Sequence, residues 1–190
     1  MIDEILRLAW LFTPLVGGAI VHGVVMRQNW FSSLTKPIDF GAVFRGKRIF
    51  GPNKTFRGIL VNGAGTALFM GLQATVFHES FQAYEYFDYA ATNCWLLGFI
   101  LGVASMLSEL PNSFVKRQLD VPSGSTASGF LLPIFYVIDQ IDLLVGSWIV
   151  LAFVMDVTVE RVLLSLIIVI VIHQLINFIG YALGMRKTLR

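Results

Sequence analysis

Between Glu109 and Asp142 the chain reads ELPNSFVKRQLDVPSG, an apolar stretch, then DQID. Asp139 and Asp142 are three residues apart, so on a helix they share one face. Two carboxylates on one face suit Mg²⁺, which takes oxygen ligands, usually one or two carboxylates completed by substrate phosphates. The competing explanation is a pair of acids near a helix N-terminus, where the macrodipole favours them by about 0.3–1 kcal/mol. A charge at the bilayer centre costs at least about 2.5 kcal/mol, so the dipole accounts only for acids near the interface. Asn112 and Lys116 stand at i and i+4, Ser113 and Lys116 at i and i+3. With Arg117 they form a polar face suited to phosphates; the alternative is an ordinary basic loop. Glu109 is either a further ligand or a partner for Lys116.

A second constellation runs from Lys36 to Gly58. Lys47, Arg48, Lys54 and Arg57 supply positive charge, and interleaved glycines let backbone N–H groups approach an anion. The other reading is a basic loop that meets anionic lipid. Gly41, Gly46, Gly51, Pro37 and Pro52 break any regular helix and argue for a shaped loop. GPNKTFRG lacks the G-x-x-x-x-G-K-[ST] spacing of a P-loop. His173 and Asn177, four apart in an apolar run, read as interhelical hydrogen-bonding residues. His22 and His78 lie near the ends of apolar runs and carry no assigned role. No Ser–His–Asp or Cys–His set is defensible.

The elements that position these residues are membrane helices. Of the 190 residues 56% are hydrophobic and 14% charged, against about 25% charged in an ordinary soluble domain. Apolar runs of about 20 residues recur, long enough to cross a hydrocarbon core of about 30 Å. The expected fold is all-α, a polytopic bundle of five transmembrane helices in one domain over residues 1–190, with cytoplasmic loops forming a polar cavity. The spans fall roughly at Ile5–Met26, Gly58–Phe77, Ala91–Leu107, from near Pro133 to before Asp156, and Val162–Leu183. The first lacks a basic leader and an A-x-A cleavage site, and is expected to be a retained helix. Gly98-x-x-x-Gly102 predicts close helix contact. A fourth span starting after Asp142 is too short at 1.5 Å per residue. A start near Pro133, a residue favoured in a first turn, puts Asp139 and Asp142 in the first two turns. The single cysteine, Cys94, excludes an internal disulfide and a cysteine metal cluster.

Lys and Arg concentrate before span two, before span four and in the tail MRKTLR. Five spans put these segments on one side, predicted to be cytoplasmic, with the N-terminus outside and the C-terminus cytoplasmic. The loop HESFQAYEYFDYA carries no Lys or Arg, and its aromatics suit an outer headgroup belt.

Taken together, KPIDFGAVFRGKRIFGPNKTFRG, ELPNSFVKRQLDVPSG and DQIDLLVG resemble the CDP-archaeol synthase family of membrane CTP transferases, related to the phosphatidate cytidylyltransferases. The resemblance covers most of the chain, with the blocks in family order. It implies transfer of CMP from CTP to a lipid phosphate, unsaturated archaetidic acid or phosphatidic acid, with Mg²⁺ as cofactor and pyrophosphate as by-product. CTP, the lipid phosphate and membrane lipids are the implied partners, without nucleic acid, at a cell membrane. Asp139 and Asp142 match the family's metal-associated acids. Ser113, Lys116 and Arg117 match its phosphate-contacting motif, and Asp39, Arg48, Asn53, Lys54 and Arg57 its first cytoplasmic block. Two positions depart from the pattern. Arg45-Gly46-Lys47 stands where an acid is common, and Leu119-Asp120 replaces Leu-Gly.

A small transporter or a structural membrane protein is the alternative class. A transporter is expected to show inverted repeats and ionisable groups near the midplane; no repeat is visible here. The D-G-x-x-A-R…G…D…D pattern of CDP-alcohol phosphotransferases is absent.

Overall fold

The computed structural model describes residues 2–125 and 127–182. Helix α1 spans Ile2–Arg27, with Asp3 and Glu4 in its first turn and Arg27 in its last, as the macrodipole favours. Helix α2 spans Phe56–Leu72. The hydroxyl of its N-cap Thr55 accepts from the Gly58 N–H at 3.2 Å. It continues through a π-helical turn, Gln73–Phe77, into α3, His78–Phe81. Helix α4, Cys94–Leu107, is capped by the Asn93 side chain, which accepts from the Leu96 N–H. Helices α5, Leu110–Gln118, α6, Leu131–Leu151, and α7, Val159–Ala182, follow.

Four described stretches are long and apolar enough to cross a membrane: Ile2–Arg27, Phe56–Tyr84, Cys94–Gln118 and Leu131–Leu151. This corrects the expected count of five among the described residues. The fifth expected span falls on α7, a 24-residue helix whose side chains are described only in part. The side chains of His173 and Asn177, and the MRKTLR tail, lie outside the described residues.

Backbone-to-backbone approach sets the bundle's spacing. A Cβ added at Gly98 would stand 2.8 Å from Ala67 Cα, and one at Gly102 2.6 Å from the Asn62 carbonyl oxygen. The Gly98-x-x-x-Gly102 expectation therefore holds, with α2 as the partner. On α6, a Cβ at Gly146 would stand 2.4 Å from the Ala104 carbonyl oxygen of α4. Leu8, Phe12, Met70, Leu101, Leu144 and Trp148 close the apolar core, with the Phe12 and Trp148 rings edge to face at 5.7 Å.

Helix α6 begins at Leu131, two residues before the expected Pro133 start, so Pro133 does lie in its first turn. Asp139 and Asp142 consequently sit in the third and fourth turns rather than the first two, deeper than expected.

The long first loop is shaped, as its glycines and prolines predict. It carries the only strands among the described residues, β1 (Val43–Phe44) and β2 (Lys47–Arg48), antiparallel with Val43 opposite Arg48. Arg45 and Gly46 turn between them, both at positive φ, 51° and 79°, as a two-residue hairpin requires.

At the other end of the bundle, Phe81 of the aromatic loop stays 36% exposed, while other aromatics of the loop pack inward. Tyr89 is 2% exposed. The Tyr86 ring is held between two guanidinium groups, Arg7 at 4.3 Å and Arg161 at 4.7 Å. Arg161 also donates to Glu4 at 2.9 Å, tying α7 to α1.

Candidate active site

The first loop is organised around Asp39. Its carboxylate, almost wholly buried, accepts from Arg48 at 2.6 Å and from the N–H groups of Gly41, Phe50 and Gly51 at 3.0, 3.1 and 3.1 Å. Burial pushes this carboxyl upward, but Arg48 and the three N–H donors more than offset it and hold it at about 2. Arg57 donates to Asn29 Oδ1 at 2.8 Å and to the Trp30 carbonyl at 3.1 Å, fastening the loop's start to its end. Asp39, Arg48 and Arg57 thus frame the loop.

The loop docks on the segment that follows α5. Gly51 has φ 99°, and a Cβ there would stand 2.1 Å from Ser123 Oγ. The left-handed backbone and the close approach both call for glycine. Lys47 Nζ donates to Asp120 Oδ2 at 2.6 Å and to the Gln118 carbonyl at 2.7 Å. Arg117 donates to Ser123 Oγ at 2.7 Å, so its side chain braces this segment. The two walls expected from sequence, Lys36–Gly58 and Glu109–Asp142, do meet.

Within the second wall, the Asn112 amide Nδ2 donates to Asp139 Oδ1 at 2.5 Å and to Asp142 Oδ2 at 2.7 Å. Lys116 Nζ donates to the same Asp139 oxygen at 2.5 Å and lies 5.3 Å from the Phe135 ring centroid. The i, i+4 reading of Asn112 and Lys116 is realised: both reach one carboxylate. Ser113 is buried beside them, its N–H donating to the Glu109 carbonyl at 3.0 Å. Glu109, open between two roles on sequence, pairs with Lys54 rather than Lys116.

Next to this cluster lies a cavity of about 460 Å³, lined by residues of all its neighbours: His22 and Met26 of α1, Asn53 and Lys54 of the first loop, Glu109, and Leu143 of α6. His22 had no role on sequence. The available signal was its spacing, since Ala19, His22 and Met26 recur at i, i+3 and i+7 on one face of α1 and all line the cavity. A second cavity of about 450 Å³, between α6 and α7, is lined only by apolar side chains such as Ile141, Trp148 and Leu166.

The carboxylate pair fits a divalent cation of the Mg²⁺ kind. Asp139 Oδ1 and Asp142 Oδ2 converge on one nitrogen, so they converge on one point in space. Asn112 Oδ1 is buried without a hydrogen-bond partner. Among the described residues no third His, Cys, Asp or Glu joins them. Two carboxylates leave the rest of the coordination to phosphate oxygens and water, as is usual for Mg²⁺. With Lys116 and Lys54 alongside, the arrangement concentrates cationic donors and carboxylate oxygens at one end of a membrane bundle, which suits phosphate chemistry.

The chain is similar to known proteins along nearly all its length. The family model described as "CarS-like: CDP-archaeol synthase" matches residues 1–189. A CDP-archaeol synthase of Pyrobaculum islandicum is 31% identical over 169 residues, 88% of this chain and 90% of the relative. One from Archaeoglobus fulgidus is 31% identical over 195 residues, 98% of each chain. A solved intramembrane enzyme for archaeal membrane lipids biosynthesis superposes with a TM-score of 0.64 at 20% identity, covering 90% of this chain and 92% of the other; that likeness speaks to the fold. Sequence blocks, bundle and family model agree, and the chain belongs to the CDP-archaeol synthase family.

Proposed function

We propose that this protein transfers CMP from CTP to a lipid phosphate, giving a CDP-activated lipid and pyrophosphate, with unsaturated archaetidic acid or phosphatidic acid as acceptor. The observation that carries the reading is the convergence of Asp139, Asp142, Asn112 and Lys116 beside a part-apolar, part-polar cavity. Membership of the family supports it.

A lipid phosphate is already an anion at neutral pH, so no enzymatic nucleophile is needed. One of its oxygens attacks the α-phosphorus of CTP in line. The barrier lies in bringing anions together and in neutralising charge on the departing pyrophosphate. Asp139 and Asp142 would hold Mg²⁺, with Asn112 Oδ1 a further available oxygen, and the ion would supply neutralisation of phosphate charge. Lys116 exchanges its carboxylate partner for the CTP phosphates, and Arg117 adds a second cation on the same helix. Ser113 and Asn112 line the approach. Lys54 and Asn53 reach the acceptor from the first loop, while Asp39, Arg48 and Arg57 keep that loop in shape.

The basic loops and the site face the cytoplasm in this reading, with the N-terminus outside. Lys47–Asp120 and Gly51–Ser123 support it, since they bring the two basic segments to one end of the bundle.

The test is direct. Purified protein is incubated with labelled CTP, Mg²⁺ and a panel of lipid phosphates of ether and ester type. A CDP-lipid with equimolar pyrophosphate is expected for at least one. No product from any member of the panel sinks the reading.

A further inference from the structure

The carboxylate cluster and the 460 Å³ cavity adjoin without coinciding. Asp139, Asp142, Asn112 and Lys116 are not among the cavity's lining residues, yet their chain neighbours Leu143, Glu109 and Leu110 are. The cavity therefore shares a wall with the cluster and is separate from it. A reaction that joins two phosphates needs two binding places.

The cavity's lining is mixed. Met26, Ile38, Met106 and Leu110 contribute apolar surface, His22, Asn53 and Lys54 contribute nitrogen donors, and Glu109 contributes a carboxylate already paired with Lys54. A phosphate carrying glycerol and hydrocarbon uses both kinds of lining together.

His22 is placed to take part. Its ring comes from α1 and lines the cavity together with Lys54 of the first loop. Its Nε2 lies against Gly58, 3.4 Å from where a Cβ would stand. The other polar residues of α1 with a hydrogen-bonded side chain are Glu4, Arg7 and Thr13; His22 is not bonded among the described residues. Lys54 commits one of its three donors to Glu109 and has two left. A phosphate seated between them would accept from the imidazole on one side and the ammonium on the other.

We infer that His22 is a binding residue for the acceptor phosphate, and that the cavity it lines is the lipid-headgroup compartment, distinct from the one that holds CTP. The inference rests on the reaction proposed above and adds to it a residue from α1, the helix least implicated by sequence.

Steady-state rates of the full-length protein separate the compartments. Phosphatidic acid or unsaturated archaetidic acid, whichever the parent turns over faster, is varied in mixed micelles at saturating CTP, and CTP at saturating lipid. His22→Ala is expected to raise the KM for lipid about five- to tenfold, as loss of one hydrogen bond to a charged group does, and to leave the KM for CTP within about twofold. His22→Gln, whose amide reaches the Nε2 position, is expected to recover most of the loss. Met26→Phe, which narrows the apolar side, is expected to raise the lipid KM alone, and serves if His22→Ala does not fold. An unchanged lipid KM in these variants, or an equal rise in both constants, overturns the inference. A wild-type protein that makes no CDP-lipid from either phosphatidic acid or unsaturated archaetidic acid overturns the reaction itself, so the two failures are distinct.

Discussion

Lys47 Nζ stands 2.6 Å from Asp120 Oδ2, an ion pair that ties the β1–β2 hairpin to the segment after α5. Asp120 adopts φ 60°, the left-handed region in which glycine is at no disadvantage. The aspartate accepts that backbone and gains an ion pair across to the hairpin. The carboxylate is largely exposed, so the pair is worth no more than about 1 kcal/mol.

Those opposed effects give an ordered prediction. Asp120→Gly is expected to leave thermal stability within about 1 kcal/mol of the parent, because relief of the backbone offsets the lost pair. Asp120→Ala loses the pair and keeps the left-handed backbone, so it is expected to be the less stable of the two. Parallel melting curves in detergent check the order.

Asp139→Asn and Asp142→Asn are each expected to abolish turnover while leaving a folded, monodisperse bundle. Chelation of divalent cations is expected to do the same to the parent, reversibly on adding Mg²⁺. Near-parental CDP-lipid formation by both variants would remove the metal-site proposal.

Lys116→Ala is expected to weaken CTP binding about tenfold, the scale of one charge-assisted contact. Direct titration with CTP in the presence of Mg²⁺ is the measurement. An unchanged affinity counts against its assigned role.

Asp39 makes the first loop sensitive to acid. Its pKa is depressed from an unfolded value near 3.8 to about 2. Its contribution is complete above the unfolded value and is lost as pH falls through the folded one. The loss is on the order of 2 kcal/mol. Limited proteolysis of the Arg27–Arg57 segment is expected to accelerate between pH 4 and 2, at roughly these pKa values, and to be fast at neutral pH in Asp39→Ala. Cleavage of that variant at the parental rate would refute the hub assignment.

Much of this arrangement was legible in the sequence because apolar length and charge bias act through the membrane, whatever the neighbours are. The placement of the long helices, the shaped loop and the shared face of Asp139 and Asp142 all follow from that. Side-chain partners were not legible. Glu109 had two candidate roles and took Lys54, a residue 55 positions away. Arg48 and Arg57, read as anion ligands, are occupied in holding the loop. Tyr86 packs between Arg7 and Arg161, cations that no local pattern brings to it. His22 is hard to single out on sequence because its cavity is built by six separate segments.

The glycine contacts of α4 bear on how such an enzyme is re-engineered. Gly98 and Gly102 against α2, Gly146 of α6 against α4, and Gly18 of α1 against Gly65 of α2 hold four helices at backbone distance. Any side chain added at those contacts moves whole helices and the carboxylates with them. Tunable dimensions are left to the opposite bank, where Ala19, Met26 and Ile38 meet the cavity. A library aimed at a different lipid belongs there, with these glycine contacts kept as the fixed chassis.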